Sequence, residues 1–147
     1  MDLIHLLKNA ICIALIFLLS GIFHEIGHLV MCGILKCRIA EVKMFIWKIN
    51  KHNGRWRVIL DLKEKEHCSF YTSSKKKMLA IMLMGPINNL LLMIMFLFLV
   101  LIYRNYIWLC GFIFNSILAV NNLRPSTNND GAMIYKAIKE IREERCL

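Results

Sequence analysis

Three long apolar stretches constrain what this chain can fold into more than any other feature of its sequence. They cover residues 10–35, 78–102 and 106–125, and each is almost free of charge. A helix rises about 1.5 Å per residue, so each stretch is long enough to cross a hydrocarbon core of about 30 Å. The sequence therefore predicts an all-α membrane protein with three transmembrane helices, forming a single domain over residues 1–147.

The first apolar stretch also has some features of a secretory signal, because Lys8 precedes it and small residues occur near Gly21. However, it continues to Leu35, which makes it longer than the apolar region of a signal. It also contains two histidines and a glutamate, which a signal would not carry. We therefore interpret it as a spanning helix.

The positive charges are unevenly distributed. Of the 19 lysines and arginines, 12 lie between Lys36 and Lys77 and five lie from Arg124 onward. Cytoplasmic loops are enriched in these residues, so we expect loop 36–77 and the C-terminus in the cytoplasm and the N-terminus outside a bacterial cell membrane. Contact with anionic lipids accounts for the formal charge of +9, and no nucleic-acid partner is needed.

Loop 36–77 is the one sizeable segment outside the predicted spans. The runs on either side of Asn53 and Gly54 favour strands, and Asn-Gly is a strong hairpin signal, so we expect a small cytoplasmic β-hairpin. Trp47 and Trp56 fall on opposite arms. There they either anchor the hairpin at the membrane interface or pack across its strands.

The other segments are assigned no chemistry. Near the C-terminus, Ile134, Ile138 and Ile141 recur at helical spacing beside a charged face, which predicts a short amphipathic helix on the membrane surface. The six cysteines lie in the spans or on the predicted cytoplasmic side, so we expect no disulfide framework. Cys32 and Cys37 resemble half a metal site, but no second pair at ligand spacing follows them.

The sequence HEIGH places three titratable groups inside the first apolar stretch. His24 and His28 are four residues apart, so a helix brings both imidazoles to one face, where they can bind one zinc ion. Glu25 lies beside them, placed to take a proton from an attacking water. An ionisable group near the bilayer centre costs about 2.5 to 3.5 kcal/mol, so all three require a reason to be there. The alternative is that the histidines bond to neighbouring helices and Glu25 is paired elsewhere.

A catalytic zinc ion usually has three protein ligands, so one more is required. Among the ten acidic residues, Asp130 stands apart, because it follows the third apolar stretch in a segment rich in amides and hydroxyls. We predict that Asp130 is the third ligand. The alternative is that it caps the start of the C-terminal helix, and Gly131 suits either role.

The second apolar stretch contains GPINN, residues 85–89. Pro86 has no backbone N–H and so releases the carbonyl of Met82 in mid-membrane, where irregular backbone survives only against protein or a watery cavity. Asn88 and Asn89 follow within one turn, and their amides can hold an extended substrate or stabilise an oxyanion. The alternative, which we expect to hold for one of the two, is that the amide joins neighbouring helices.

Together, HEIGH, GPINN and NLRPSTNNDG resemble the motifs of the site-2 protease family of intramembrane zinc metalloproteases. That family combines HExxH, Gly-Pro-x-x-Asn and Asn-x-x-Pro-x-x-x-x-Asp-Gly on three helices, and the three segments occur here in that order. The resemblance implies that His24, His28 and Asp130 bind one zinc ion and that Glu25 is the general base. It also implies substrate-binding residues, which we assign to Asn88, Asn122, Gly85 and Pro86.

The resemblance further implies cleavage of a membrane-spanning or membrane-associated protein or peptide near the cytoplasmic side, after its helix has locally unwound. The hairpin would then guide the substrate as an added strand. Residues 126–129 are all polar and Arg124 stands where leucine is common, so this chain departs from the family pattern there. No regulatory domain fits in the chain, so control would come from a partner membrane protein or from the substrate.

Other functions fit the sequence less well. A non-catalytic zinc-binding membrane module that binds a partner helix would use the same ligands without needing the Glu25 carboxylate. A metal transporter would carry several ligands along a path through the membrane. A membrane di-iron oxidase would need more histidines than the five present, of which three lie outside the spans: His5, His52 and His67.

Overall fold

A computed structural model of the chain describes residues 3–44, 47–52, 55–60, 67–126 and 129–144. Three of its helices are long and apolar enough to cross a membrane: α1 (Leu3–Ile34), α2 (Lys75–Tyr103) and α3 (Tyr106–Leu123). The three predicted helices are therefore confirmed. α1 begins before the predicted residue 10, because apolar residues on either side of Lys8 continue the helix.

Large apolar side chains cover the outer surfaces of these helices. Leu15, Phe98 and Ile117, one from each helix, are all at least half exposed. In water such a surface would favour aggregation, whereas in a bilayer it faces lipid tails. The outer surface thus agrees with three helices that lie side by side in a membrane.

The turn between α2 and α3 is short. Arg104 follows α2 in the left-handed conformation, with φ 46°, and its N–H donates to the carbonyl of Val100. Asn105 then caps α3, because its side-chain oxygen accepts from the N–H of Ile107 at 2.9 Å. Two connecting residues are enough only if α2 and α3 are antiparallel neighbours.

The segment between α1 and α2 forms a four-stranded antiparallel sheet with the strand order β3-β2-β1-β4. Its strands are β1 (Arg38–Met44), β2 (Trp47–His52), β3 (Arg55–Leu60) and β4 (His67–Tyr71). The predicted hairpin corresponds to β2 and β3, and its turn at Asn53 and Gly54 lies outside the described residues. The predicted hairpin is present, and β1 and β4 extend it to a four-stranded sheet that was not predicted.

β1 and β4 were not predicted because neither segment has a strong local strand pattern. Charged residues interrupt β1, and β4 is only five residues long. The two strands pair with each other across the intervening hairpin, with Ile39 opposite Phe70 and Val42 opposite Cys68. Strand formation depends on such cross-strand contacts, which are not visible in either segment alone.

The two tryptophans lie on neighbouring strands, as predicted. However, Trp47 pairs with Leu60 and Trp56 pairs with Lys51, so the tryptophans are not direct cross-strand partners. The Trp47 side chain is 49% exposed. This leaves Trp47 available for the membrane interface.

The sheet and a fourth helix, α4 (Asp130–Glu143), lie at the same end of the long helices. Ile39 and Phe70 of the sheet pack against a buried cluster that joins α1, α2 and α4, formed by Cys32, Ile81, Met82 and Ile134. α4 is amphipathic, as predicted, since Ile134 is buried and Tyr135 is exposed. Of the described residues outside the three long helices, all but those of the α2–α3 turn therefore lie at one end of the bundle.

Ion pairs hold α4 against the start of α2. The Lys75 ammonium lies 3.2 Å from a Glu140 carboxylate oxygen and 3.1 Å from a Glu144 carboxylate oxygen. Because these side chains are partly exposed, the pairs contribute little to stability individually. What the ion pairs do is hold α4 in place, and with it Asp130, the first residue of this helix.

α1 and α3 are joined by a polar contact deep between the helices. Asn115 Nδ2 donates to Ser20 Oγ at 3.0 Å, and both side chains are buried. One turn away, the rings of Phe17 and Phe114 stack with centroids 4.0 Å apart. These contacts fix how α1 is rotated relative to α3.

α1 and α2 come into backbone contact at Gly27. A Cβ atom added to Gly27 would lie 2.6 Å from the carbonyl oxygen of Met84 and 2.8 Å from Asn88 Nδ2. The Met84 carbonyl is part of the helix backbone and cannot turn aside as a side chain can, so a Cβ at this position would push α2 away from α1. Glycine therefore permits this close approach.

We expect Gly27→Ala to lower the free energy of unfolding by about 1 to 3 kcal/mol, because the methyl group overpacks this contact. The measurement is an unfolding titration of the purified protein in mixed micelles with a denaturing detergent. Gly33→Ala is the matched control, since a Cβ there meets nothing within 4 Å among the described residues. Equal unfolding midpoints for the two variants would contradict the close contact.

Candidate metal centre

The buried side of α1 is polar. Its buried residues are Ser20, His24, Glu25, Gly27, His28 and Cys32. Four of them recur every four residues, so they form a stripe along one side of the helix. The stripe faces α2, α3 and the start of α4, and these elements therefore surround HEIGH.

The histidines and Asp130 bring three donor atoms together. His24 Nε2 lies 3.2 Å from His28 Nε2, and Asp130 Oδ2 lies 2.9 Å from the former and 3.3 Å from the latter. Donor atoms of a tetrahedral zinc site are about 2.0–2.1 Å from the metal and hence about 3.3 Å from one another. The triangle therefore has the size and the chemistry of a zinc donor set.

Glu25 lies beside this triangle and is only 6% exposed. Donor atoms of His24, Glu25 and His28 all lie within 4.8 Å of one another. A carboxylate at this distance can exchange protons with a molecule held at the donor set. The two histidines and the glutamate of HEIGH therefore lie close together, as their spacing in the sequence predicts.

Asn129 is the residue that caps the start of α4. Its position tests the alternative interpretation of Asp130 as the cap of this helix. The Asn129 side-chain oxygen accepts from the N–H of Ala132 at 3.0 Å, so Asn129 occupies the N-cap position. Asp130 is the first residue of the helix, and its carboxylate lies against the histidines. The interpretation of Asp130 as the helix cap is therefore wrong.

Asn129 also holds together the junction between α3 and α4. Its Nδ2 donates at 2.8 Å to both the Asn121 carbonyl and the Arg124 carbonyl, and its Oδ1 accepts from the Ser126 N–H at 3.2 Å. Sequence reasoning missed Asn129, although asparagine before a helix is a usual capping signal. The Asn129 side-chain amide thus fixes the position of Asp130 at the start of α4.

Gly131 lets α4 start close to the end of α3. A Cβ atom added to Gly131 would collide with the Arg124 carbonyl oxygen and lie 2.8 Å from the Leu123 carbonyl carbon. Any larger residue would push Asp130 away from the histidines. This explains glycine after the aspartate in physical terms.

Asp130 is held ionised. Burial by itself would raise the pKa of its carboxyl, but the contacts with the His24 and His28 imidazoles outweigh burial and lower the pKa from 3.8 to about 2. An ionised carboxylate is the form that ligates a metal.

α2 orients His28 and makes room for both imidazoles. His28 Nδ1–H donates to the carbonyl of Ile81 at 2.8 Å, which leaves the Nε2 lone pair for a metal. A Cβ atom added to Gly85 would collide with His28 Nε2 and lie 2.6 Å from His24 Nε2. Because Gly85 has no side chain, there is space at this position for the donor atoms. The next residue, Pro86, is fully buried and lies within a continuous helix.

The two asparagines after Pro86 have different surroundings. Asn88 Nδ2 donates to the Phe23 carbonyl at 2.7 Å, whereas the fully buried Asn89 lies 2.9 Å from His24 Nδ1 through its Nδ2. The spacing Gly-Pro-x-x-Asn, counted from Gly85, ends on Asn89. Asn89 therefore contacts the histidine, whereas Asn88, which we predict to bind substrate, joins α2 to α1.

Asn122 approaches the same histidine from α3. Its Nδ2 is 3.5 Å from His24 Nδ1, a long contact. Substrate binding by Asn88, Asn122, Gly85 and Pro86 stays a prediction.

A His-Glu-x-x-His helix with a nearby carboxylate, set among helices of membrane length, is the arrangement of a membrane metalloprotease. The family model for Peptidase family M50 matches residues 12–106, about two thirds of the chain. The chain belongs to this family, the site-2 proteases, whose members are zinc metalloproteases. A search of curated proteins finds no match. The family match includes HEIGH and GPINN and ends before Asn122 and Asp130, so geometry alone brings those two residues to the site.

We expect Asn129→Ala to weaken zinc binding, because Asp130 loses the support that places it at the histidines. Capping loss alone should lower the free energy of unfolding by about 1 kcal/mol. The measurements are zinc affinity by chelator competition and unfolding in mixed micelles.

Asn105→Ala is the matched control, since Asn105 caps α3 with one side-chain bond at the other end of the bundle. It should lose similar stability and keep its zinc affinity. Equal zinc affinities in the two variants would show that Asn129 is a cap and nothing more.

Proposed function

We propose that this chain is an intramembrane zinc metalloprotease that hydrolyses peptide bonds of membrane-spanning or membrane-associated substrates near the cytoplasmic side. The observation that carries the proposal is the meeting of His24, His28 and Asp130 beside Glu25, in a chain that belongs to Peptidase family M50. The donor triangle draws on α1 and α4, which are separated in sequence by the other two long helices.

His24, His28 and Asp130 would hold one zinc ion. When bound, zinc supplies a Lewis acid that polarises a peptide carbonyl and lowers the pKa of water. The chain's own contribution is to hold these donors in a buried site, where electrostatic interactions are stronger than in water.

Glu25 is the proposed general base and acid. Its carboxylate accepts a proton from the attacking water as the carbon–oxygen bond forms, and it returns that proton to the amine as the carbon–nitrogen bond breaks. Its position next to His24 on α1 keeps it within reach of a molecule at the donor set. The products are a carboxylate-ended and an amine-ended peptide.

The sheet is the proposed guide for an unwound substrate. β3 and β4 are its edge strands, and the β3 residues Val58, Ile59 and Leu60 are exposed. An extended peptide can add to such an edge through backbone hydrogen bonds. We further propose that Asn122 and Asn88 position the substrate near the donors, with the Asn88 side-chain oxygen as its available group.

The surroundings of the protein follow from the same charges that predict its orientation. We propose that the sheet and α4, which share one end of the bundle, face the cytoplasm of a bacterial cell, where their lysines and arginines meet anionic lipid. A regulatory membrane protein would act on this same end.

Glu25→Gln is the experiment that tests the proposed activity. We expect it to abolish cleavage of a co-expressed membrane substrate, identified as the fragment that disappears from the membrane proteome, while zinc binding is kept. The amide has nearly the same shape as the carboxylate but cannot accept the proton. Undiminished cleavage, or a cellular phenotype that survives the change, would favour the non-catalytic zinc-binding module instead.

The proposed metal role of Asp130 is tested separately. We expect Asp130→Ala to reduce zinc affinity strongly, since two histidines alone hold zinc weakly, and to abolish cleavage. Zinc affinity is measured by chelator competition on purified protein. Glu140→Ala is the control, because it removes a carboxylate of α4 that pairs with Lys75 instead of the histidines. Unchanged zinc binding in Asp130→Ala would mean that the third ligand is another group.

A further inference from the structure

Asn89 has a buried amide that contacts one of the proposed zinc ligands. It is completely buried on α2, and its Nδ2 lies 2.9 Å from His24 Nδ1. Its Oδ1 is also buried and makes no hydrogen bond with any residue that the structure describes. A buried amide oxygen without a donor costs about 1 to 3 kcal/mol, so its orientation calls for an explanation.

The contacts assign one set of tautomers to the metal-free site. His28 donates from Nδ1 to the Ile81 carbonyl, so its Nε2 carries a lone pair. His24 accepts from Asn89 at Nδ1, so its proton is on Nε2, from which it donates to Asp130 at 2.9 Å. Each of these three hydrogen bonds then has one donor and one acceptor.

Zinc binding through Nε2 is compatible with the His28 tautomer but not with the His24 tautomer. A metal needs the Nε2 lone pair of His24, which moves the ring proton to Nδ1. Nδ1–H would then point at the N–H group of the Asn89 amide, and two donors cannot share a hydrogen bond.

We propose that Asn89 is a positioning residue whose side-chain amide rotates, so that it hydrogen-bonds His24 Nδ1 both without zinc and with zinc. Without zinc, Asn89 Nδ2 donates to His24 Nδ1. With zinc, the amide has rotated by half a turn, so that its Oδ1 accepts from His24 Nδ1–H. This inference rests on the proposed zinc site, and it gives the unsatisfied Oδ1 a partner in the metal-bound state.

Asn89 suits this role better than the other amides nearby. Asn122 is 3.5 Å from the same nitrogen, too long for a strong hydrogen bond, and Asn88 is bonded to the Phe23 carbonyl. Asn89 lies one turn after Gly85, on the turn of α2 that packs against both imidazoles. The same segment of α2 thus makes room for the histidines and orients one of them.

Zinc affinity is the first test, measured by chelator competition on the purified full chain. We expect Asn89→Leu to weaken zinc binding by about 10- to 100-fold, as is usual when a partner of a metal-binding histidine is lost. Asn89→Asp offers only acceptor oxygens, so it should bind zinc at least as tightly as the wild type. Asn115→Leu removes an equally buried amide that is bonded to Ser20, and it should leave zinc affinity unchanged.

Histidine tautomers are the second test, which does not depend on activity. In protein with ¹⁵N-labelled histidine, the His24 proton should be on Nε2 without zinc and on Nδ1 with zinc. The His24 signals are assigned by their loss in His24→Gln. In Asn89→Asp, the Nδ1–H tautomer should already dominate before zinc is added.

The outcomes separate this inference from the proposed function. Equal losses of zinc affinity in Asn89→Leu and Asn89→Asp would overturn the role of Asn89 and leave the protease proposal intact. A His24 proton that stays on Nε2 with zinc would overturn both the role of Asn89 and the proposed donor set, because His24 could not then bind zinc through that nitrogen. A wild-type chain that binds zinc but cleaves no substrate would overturn only the protease. A wild-type chain that binds no zinc would overturn both.

Discussion

Polar groups inside an apolar bundle must find partners within the protein, and this requirement organises the structure. His28 is bonded to the Ile81 carbonyl of α2, and His24 lies against Asn89 of α2 and Asp130 of α4. Ser20, one turn earlier, receives its bond from Asn115 of α3. Each of the other helices is thereby tied to the polar stripe of α1, so the groups that are most costly to bury are also those that fix the arrangement of the helices.

Hydrogen bonds of this length require the helix backbones to lie close together, and glycine is found where they do. Gly85 faces the donor atoms of α1, Gly27 faces the backbone of α2, and Gly131 faces the end of α3. In a membrane, apolar side chains gain little by moving from lipid to protein, so close backbone packing and interhelical hydrogen bonds must hold the helices together. The site and the packing of this protein therefore share several of their contacts.

Several features could be predicted from the sequence because their signals are local. Apolar run length revealed the three long helices, and the four-residue spacing of His24 and His28 predicted that their imidazoles share a face. Asp130 was proposed at the histidines because it follows the third apolar stretch in a segment rich in amides and hydroxyls, and the structure places it there. Helix periodicity and the position of Asp130 along the sequence were enough for these two predictions.

Other features depend on packing and were not predictable. Neighbouring residues on a helix point about 100° apart, so the choice between Asn88 and Asn89 depends on how α2 is rotated against α1. That rotation is set by contacts such as Gly27 with Met84, which no local pattern reveals. β1 and β4 likewise form by pairing with each other across the hairpin between them, and contact with the helix ends partly buries Ile39 and Phe70.

The donor triangle also has a consequence for biosynthesis. His24 and Asp130 are 106 residues apart, and α2 and α3 lie between them. A nascent chain that has inserted only its first two helices contains both imidazoles but not the carboxylate of α4. The proposed centre is thus completed only after all three long helices and the start of α4 have been synthesised, so a chain that ends before α4 lacks the full donor set.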